Sequence, residues 1–296
     1  MESSAMLPDT THLGAVDLRV CDLPAALTVW RDALGLAEIG RDAESVTLGC
    51  GGRALVVLHS GATAPAPGPV VGLFHLAVHV PTRVDLAQAL ARIGAAGLRH
   101  SGQDHLFSEA LYISDPDGNG IEIALDTQGR GTVVMQDGEP RAQTLDGRPH
   151  SMLEPLDLAG LLAELPPDTP PVAHLADACI NGHIHFRTDR REAVFAFYRD
   201  VIGFRPGMNS AAWRFCDVGT ALRHHMVAFN TWGGEGLAHA APTAPGVIRY
   251  RVLVPDAETI AALTQRLAAA GVAHQATSTT VACADPQGNQ IGIQVG

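Results

Sequence analysis

The chain repeats itself, and that repeat constrains its fold more than any other feature. Trp30-Arg31-Asp32-Ala33-Leu34-Gly35-Leu36 returns 168 residues later as Tyr198-Arg199-Asp200-Val201-Ile202-Gly203-Phe204. Asp115-Pro116-Asp117-Gly118-Asn119 returns after 170 residues as Asp285-Pro286-Gln287-Gly288-Asn289. Two related halves follow, because a fixed period marks a structural unit used more than once. Each half divides again. Residues 13–20 alternate like a strand, and Asp22 to Leu34 carries helical periodicity ending at Gly35. Short strands fit 36–41, 45–49 and 54–59, punctuated by Gly51-Gly52. The order recurs with a strand over 73–80, a helix over 83–96 and strands near 98–102, 110–114 and 120–125. The Asp115–Asn119 turn joins the last two as a hairpin. Modules three and four start near Gly182 and Val247. The expected fold is therefore α+β, with four βαβββ modules.

The domains expected on this reading are residues 1–126 (modules one and two) and 180–296 (modules three and four). Residues 127–179 between them are rich in Gly, Pro, Asp and Glu, with one helix expected near 156–165. That stretch reads as a linker crossing the surface. At 296 residues the chain is long enough for two cores. A formal charge of −11 argues against nucleic-acid or anionic-membrane partners, which need a basic surface. No run of eighteen apolar residues is present to span a bilayer. The N-terminus is acidic and polar where a secretory signal would be basic. Five scattered cysteines without a CxxC fit reduced thiols, and a cytoplasmic location is expected.

The histidines carry the chemical signal. Glu122 lies in Gly120-Ile121-Glu122-Ile123-Ala124, where Ile121 and Ile123 point one way and Glu122 the other. A carboxylate in so apolar a strand needs a metal, a cation or solvent. His75 sits in Phe74-His75-Leu76-Ala77-Val78, where the ordinary reading is a hydrogen-bonded core imidazole. His183 and His185 share one strand face by period two. His224 and His225 are neighbours, so only one can enter a shared cup.

GLFHLAVHVPTR, SEALYISDPDGNGIEIALD, NGHIHFRT and HHMVAFNTWGGEG resemble, as a set, the vicinal oxygen chelate superfamily. This group includes glyoxalases, bleomycin-resistance proteins and extradiol dioxygenases. The likeness spans about 85% of the chain as estimated from module lengths, and is nearest to two-domain catechol 2,3-dioxygenase-like proteins. It implies two incompletely closed eight-stranded barrels and a divalent metal, Fe(II) first with Mn(II) as the alternative. It implies His75, Glu122 and His185 as ligands, with His183 at the rim, a 2-His-1-carboxylate set with open positions. It also implies Tyr112, ten residues before Glu122, as an active-site tyrosine and a histidine acid/base at His224-His225; alternation does not decide between the two, and His225 is taken as the candidate.

Comparing modules at these positions, Asp17 stands where module three has His185. Arg249 and Gly292 stand where module two has His75 and Glu122. Modules two and three keep the pattern while one and four have lost it. This favours pairing two with three around one live site, and one with four around a vacant one. Sequential pairing is the competing geometry and would assemble Asp17, His75 and Glu122. The resemblance implies a ring-cleaving dioxygenase using a catechol- or hydroquinone-like small molecule and dioxygen. A glyoxalase-like isomerase or lyase is the second reading, and a ligand-sequestering resistance protein the third. A homodimer is the superfamily's habit.

Overall fold

The computed structural model describes residues 6–296 except 66–67, 137–138, 168–169 and 235. All four modules have the βαβββ order. Module one is β1 (His12–Arg19), α1 (Leu23–Leu27), β2 (Ala37–Arg41), β3 (Ser45–Cys50) and β4 (Arg53–His59). Module two is β5 (Gly72–His79), α2 (Arg83–Ala95), β6 (Ser101–Asp104), β7 (Ser108–Ser114) and β8 (Gly120–Asp126). The connection carries β9 (Gly131–Gln136), β10 (Glu139–Thr144), β11 (Pro149–His150), β12 (Glu154–Pro155) and α3 (Leu158–Leu162). Module three is β13 (Ile180–Arg187), α4 (Arg191–Ala196), β14 (Arg205–Ser210), β15 (Phe215–Gly219) and β16 (Val227–Asn230). Module four is β17 (Gly246–Val254), α5 (Ala257–Ala269), β18 (His274–Ala276), β19 (Thr280–Ala284) and β20 (Gln290–Val295). Among the described residues no helix is long and apolar enough to cross a membrane.

The sheets run across the two halves of the sequence. One eight-stranded sheet has the order β18-β19-β20-β17-β1-β4-β3-β2 and so unites modules four and one. A nine-stranded sheet, β12-β6-β7-β8-β5-β13-β16-β15-β14, unites modules two and three. Sequential pairing is excluded by this topology. Residues 1–126 and 180–296 each give one module to each sheet. The pairing seams are antiparallel, β1 against β17 and β5 against β13.

Local chemistry explains the repeated elements. Asp22, Thr82 and Asp256 cap helices by accepting from the backbone N–H three residues on, at 3.0, 3.2 and 2.8 Å. α1 and α4 run on as π-helical turns, Thr28–Ala33 and Phe197–Ile202, a winding the helical periodicity did not reveal. Each ends at a glycine in the left-handed region, Gly35 at φ +91° and Gly203 at φ +93°. Arg92 then donates to the Leu34 carbonyl at 3.0 Å, and its repeat counterpart Arg266 donates to that of Ile202 at 2.7 Å. α5 turns Ile260, Leu263 and Leu267 inward at helical spacing.

Two further contacts tie the sheets together, and they too are repeated. Trp30 donates from Nε1 to Asp115 Oδ2 at 3.1 Å, and Tyr198 donates from its hydroxyl to Asp285 Oδ2 at 3.0 Å. Both carboxylates also accept from their own hairpin backbones: Asp115 from Asp117 and Asn119, Asp285 from Gln287 and Asn289. The buried Asn181 amide adds a third tie, donating to Gly14 O and Leu55 O at 2.8 Å each.

The connection between modules two and three differs from the surface linker expected of it. It builds a small sheet, β11-β10-β9, and adds β12 to the edge of β6. Its apolar residues Leu156, Leu161 and Leu175 are buried, which explains why it packs rather than floats. β6 begins at Ser101, a few residues later than the periodicity placed it.

Candidate metal centre

One face of the nine-stranded sheet collects polar side chains that this sheet buries. Cross-strand register does the collecting. His183 on β13 lies opposite Ala77 on β5, Ala77 lies beside Glu122 on β8, and Glu122 lies opposite Tyr112 on β7. His75 and His185 form the adjacent row. Ala77 is the small residue beneath the row, so His183 and Glu122 can lean together above it.

Three donor atoms converge there. His75 Nε2 lies 3.0 Å from Glu122 Oε2, His183 Nε2 lies 3.2 Å from the same oxygen, and the two imidazole nitrogens are 3.1 Å apart. All three residues are buried, Glu122 with only 2% exposure. Metal–donor bonds near 2.1 Å set at right angles place ligand atoms about 3.0 Å apart, the edge of a facial triad. Spacing and donor types both fit one divalent cation.

The electrostatics agree with that fit. Burial opposes ionisation of Glu122, yet the His183 and His75 imidazoles beside it hold its carboxyl well below the usual carboxylate range. Burial dominates at His183 and pushes it down to about 3, against the pull of Glu122. An ionised carboxylate beside a neutral imidazole is the form that donates lone pairs to a cation.

His185, expected among the ligands, is turned elsewhere. Asn230 Oδ1 accepts from the Trp232 N–H at 3.1 Å, which orients the amide so that its Nδ2 donates to His185 Nε2 at 2.9 Å. The Nε2 lone pair of His185 is therefore engaged, and burial drives its pKa well below the ordinary value. The converging set is His75, Glu122 and His183, with His185 packed edge-on to His75 at 4.8 Å between ring centroids.

Tyr112 and His225 both reach this face. The Tyr112 hydroxyl lies 2.8 Å from His105 Nε2, while His105 Nδ1 faces the Met152 carbonyl. A carbonyl only accepts, so His105 Nδ1 carries a ring proton, and Nε2 is the atom that pairs with the Tyr112 hydroxyl. Burial, then the nearby Glu122 charge, raises the Tyr112 pKa and keeps it a phenol. His225 lies 4.4 Å from His183 between ring centroids and stacks on Phe215, whereas His224 is exposed. Asp217 Oδ2 accepts from His225 Nδ1 at 2.6 Å. Burial lowers the His225 pKa, but this hydrogen bond and the Asp217 charge outweigh it and raise the value overall. Phe74, Phe215 and Trp232 supply an aromatic wall around His185.

His79, His105, Asp217 and Asn230 were missed as site residues. The one available signal was period two along β5, which puts His79 on the face of His75. The other sheet holds an ion-pair cluster at the corresponding place. Buried Asp17 accepts from Arg249 at 3.0 Å and is ion-paired with Arg251 at 2.9 Å, with His59 at 3.5 Å.

The glyoxalase/bleomycin resistance protein/dioxygenase superfamily model matches residues 12–123 and again 180–293. The chain belongs to that superfamily. A relative within it, the catechol-2,3-dioxygenase of Bacillus subtilis (strain 168), is 30% identical over 284 residues, covering 94% of this chain and 95% of its own. A putative dioxygenase structure from Bacillus subtilis superposes with a TM-score of 0.64 at 10% identity, covering 99% of this chain and 86% of that one. A glyoxalase I mutant from Zea mays gives 0.57 at 15% identity, covering 97% and 92%. These structural likenesses extend the superfamily fold over the whole chain.

Proposed function

We propose that this superfamily member is an extradiol-type ring-cleaving dioxygenase for a catechol- or hydroquinone-like small molecule. It would hold one divalent metal through His75 Nε2, His183 Nε2 and the Glu122 carboxylate. Fe(II) is the favoured ion and Mn(II) the alternative, because two imidazoles and one carboxylate with open positions suit non-haem iron chemistry. The carrying observation is the mutual spacing of 3.0, 3.1 and 3.2 Å among three buried donor atoms. The 30% identical relative named catechol-2,3-dioxygenase supports the choice of reaction within the superfamily.

When bound, such a metal supplies open coordination positions for the vicinal oxygens of the substrate and for dioxygen. The rest belongs to this chain's own side chains. The aromatic wall of Phe74, Phe215 and Trp232 offers faces against which a planar ring packs. His225 keeps Nδ1 on Asp217, so Nε2 is the atom that takes or returns a proton. Its raised pKa suits an acid that delivers a proton late in the reaction. Tyr112, anchored by His105, orients the organic ligand from the Glu122 side.

The test is reaction with catechol under 18O2, using protein reconstituted anaerobically with Fe(II). A ring-opened product carrying both labelled oxygens supports the proposal. Metal-loaded protein that consumes no oxygen with any catechol or hydroquinone tried contradicts it.

A further inference from the structure

Behind the converging donors lies a second line of polar groups that runs from His183 to the surface. His79 Nε2 is 3.4 Å from His183 Nδ1, on the side of that ring away from Glu122. On its other side, His79 Nδ1 is 3.4 Å from Asp126 Oδ2. Asp126 closes β8, the strand that carries Glu122, and its side chain is 58% exposed. The three groups thus form a file of carboxylate, imidazole and imidazole, wet at one end and buried at the other.

The backbone is shaped to admit this file. Gly182, next to His183, lies against the His79 ring: a Cβ there would sit 1.9 Å from His79 Cδ2 and 2.1 Å from Nε2. A side chain at 182 would therefore require the His79 ring to move from this position. The gap and the hydrogen-bonding atoms are independent observations, and both locate His79 in this position.

The direction of the bonds follows from what ligation demands. His183 can bind a cation through Nε2 only with the lone pair there, so its ring proton must reside on Nδ1. Nδ1–H then donates to His79 Nε2, which forces the His79 proton onto its own Nδ1, the atom that faces Asp126 Oδ2 at 3.4 Å. We propose that His79 and Asp126 are positioning residues, an Asp–His–His relay that fixes the tautomer and orientation of His183 for metal binding. Such outer partners raise ligand basicity and are commonly worth about 10- to 100-fold in metal affinity. This rests on the reading of His75, Glu122 and His183 as a metal site.

The experiment measures Mn(II) dissociation constants for the parent, Asp126→Asn, His79→Phe and the double variant. Apo thermal midpoints are recorded alongside in chelator. The expected result is about tenfold weaker binding for Asp126→Asn and about 10- to 100-fold for His79→Phe. The double variant should be no weaker than His79→Phe, because Asp126 acts through that ring, and apo midpoints should stay together. Parent-like affinity in both single variants overturns the relay, and so does a double variant whose losses multiply. Asp126 is exposed, so Asp126→Asn decides the matter even where His79→Phe does not fold. A parent that binds no Mn(II) or Fe(II) overturns the metal reading itself, which is a different outcome from variants that bind as the parent does.

Discussion

His183 and His185 stand two residues apart on one face of β13, yet their Nε2 atoms end in different bonds. One meets Glu122 and the other an amide nitrogen of Asn230. Alternation along the strand made both candidates legible, but it cannot say which imidazole shares a row with Glu122. That depends on the register of β13 against β5, which includes two irregularities, and on an asparagine 45 residues away. His75, Glu122 and Tyr112 could be placed on one face from alternating strands and motifs, whereas alternation left His224 and His225 undecided. Asp217 was not legible, since nothing in Phe215-Cys216-Asp217 shows that its carboxylate will meet His225. At this scale His225→Phe is expected to keep the metal and lose about 10^2- to 10^4-fold in turnover, as removal of a general acid or base does. Steady-state oxygen uptake with a metal assay on the same sample checks both halves of that statement.

The elements were legible where short-range chemistry sets them. Helix caps, the Asp-Pro-x-Gly-Asn turns and strand alternation all gave usable boundaries. The π-helical turns after α1 and α4 were not legible, because the same apolar spacing suits either winding. The small sheet β9–β11 was hidden by a composition that resembles a linker, and so was the burial of Leu156, Leu161 and Leu175, which follow it in the chain. The tie through Asn181 also escaped sequence reading, although its amide bridges to β4 and β1. Asn181→Ala leaves the Gly14 and Leu55 carbonyls without this donor in a buried place. A loss of about 2–3 kcal/mol is expected from denaturant unfolding. A change under 0.5 kcal/mol would show that the tie contributes nothing.

For the whole molecule, the distribution of lost ligands was the informative signal. Arg249 and Gly292 in module four, with Asp17 in module one, pointed to the pairing of modules that the two sheets display. At the corresponding place the eight-stranded sheet holds a buried Asp17 between two guanidiniums, an arrangement that strand alternation alone does not foretell. Because each half gives one module to each sheet, residues 1–126 expressed alone leave the seam edges of β1 and β5 unpaired. That fragment is expected to aggregate, and co-expression with residues 127–296 should restore a soluble metal-binding pair. Light scattering and metal content of the copurified fragments check this.

The central claim is that one metal is held by His75, Glu122 and His183. It is tested most directly by metal content after anaerobic Fe(II) reconstitution of the parent, His183→Ala and His185→Ala. About one iron per chain is expected in the parent and in His185→Ala, with loss of iron in His183→Ala. Iron retained in His183→Ala and lost in His185→Ala would contradict it.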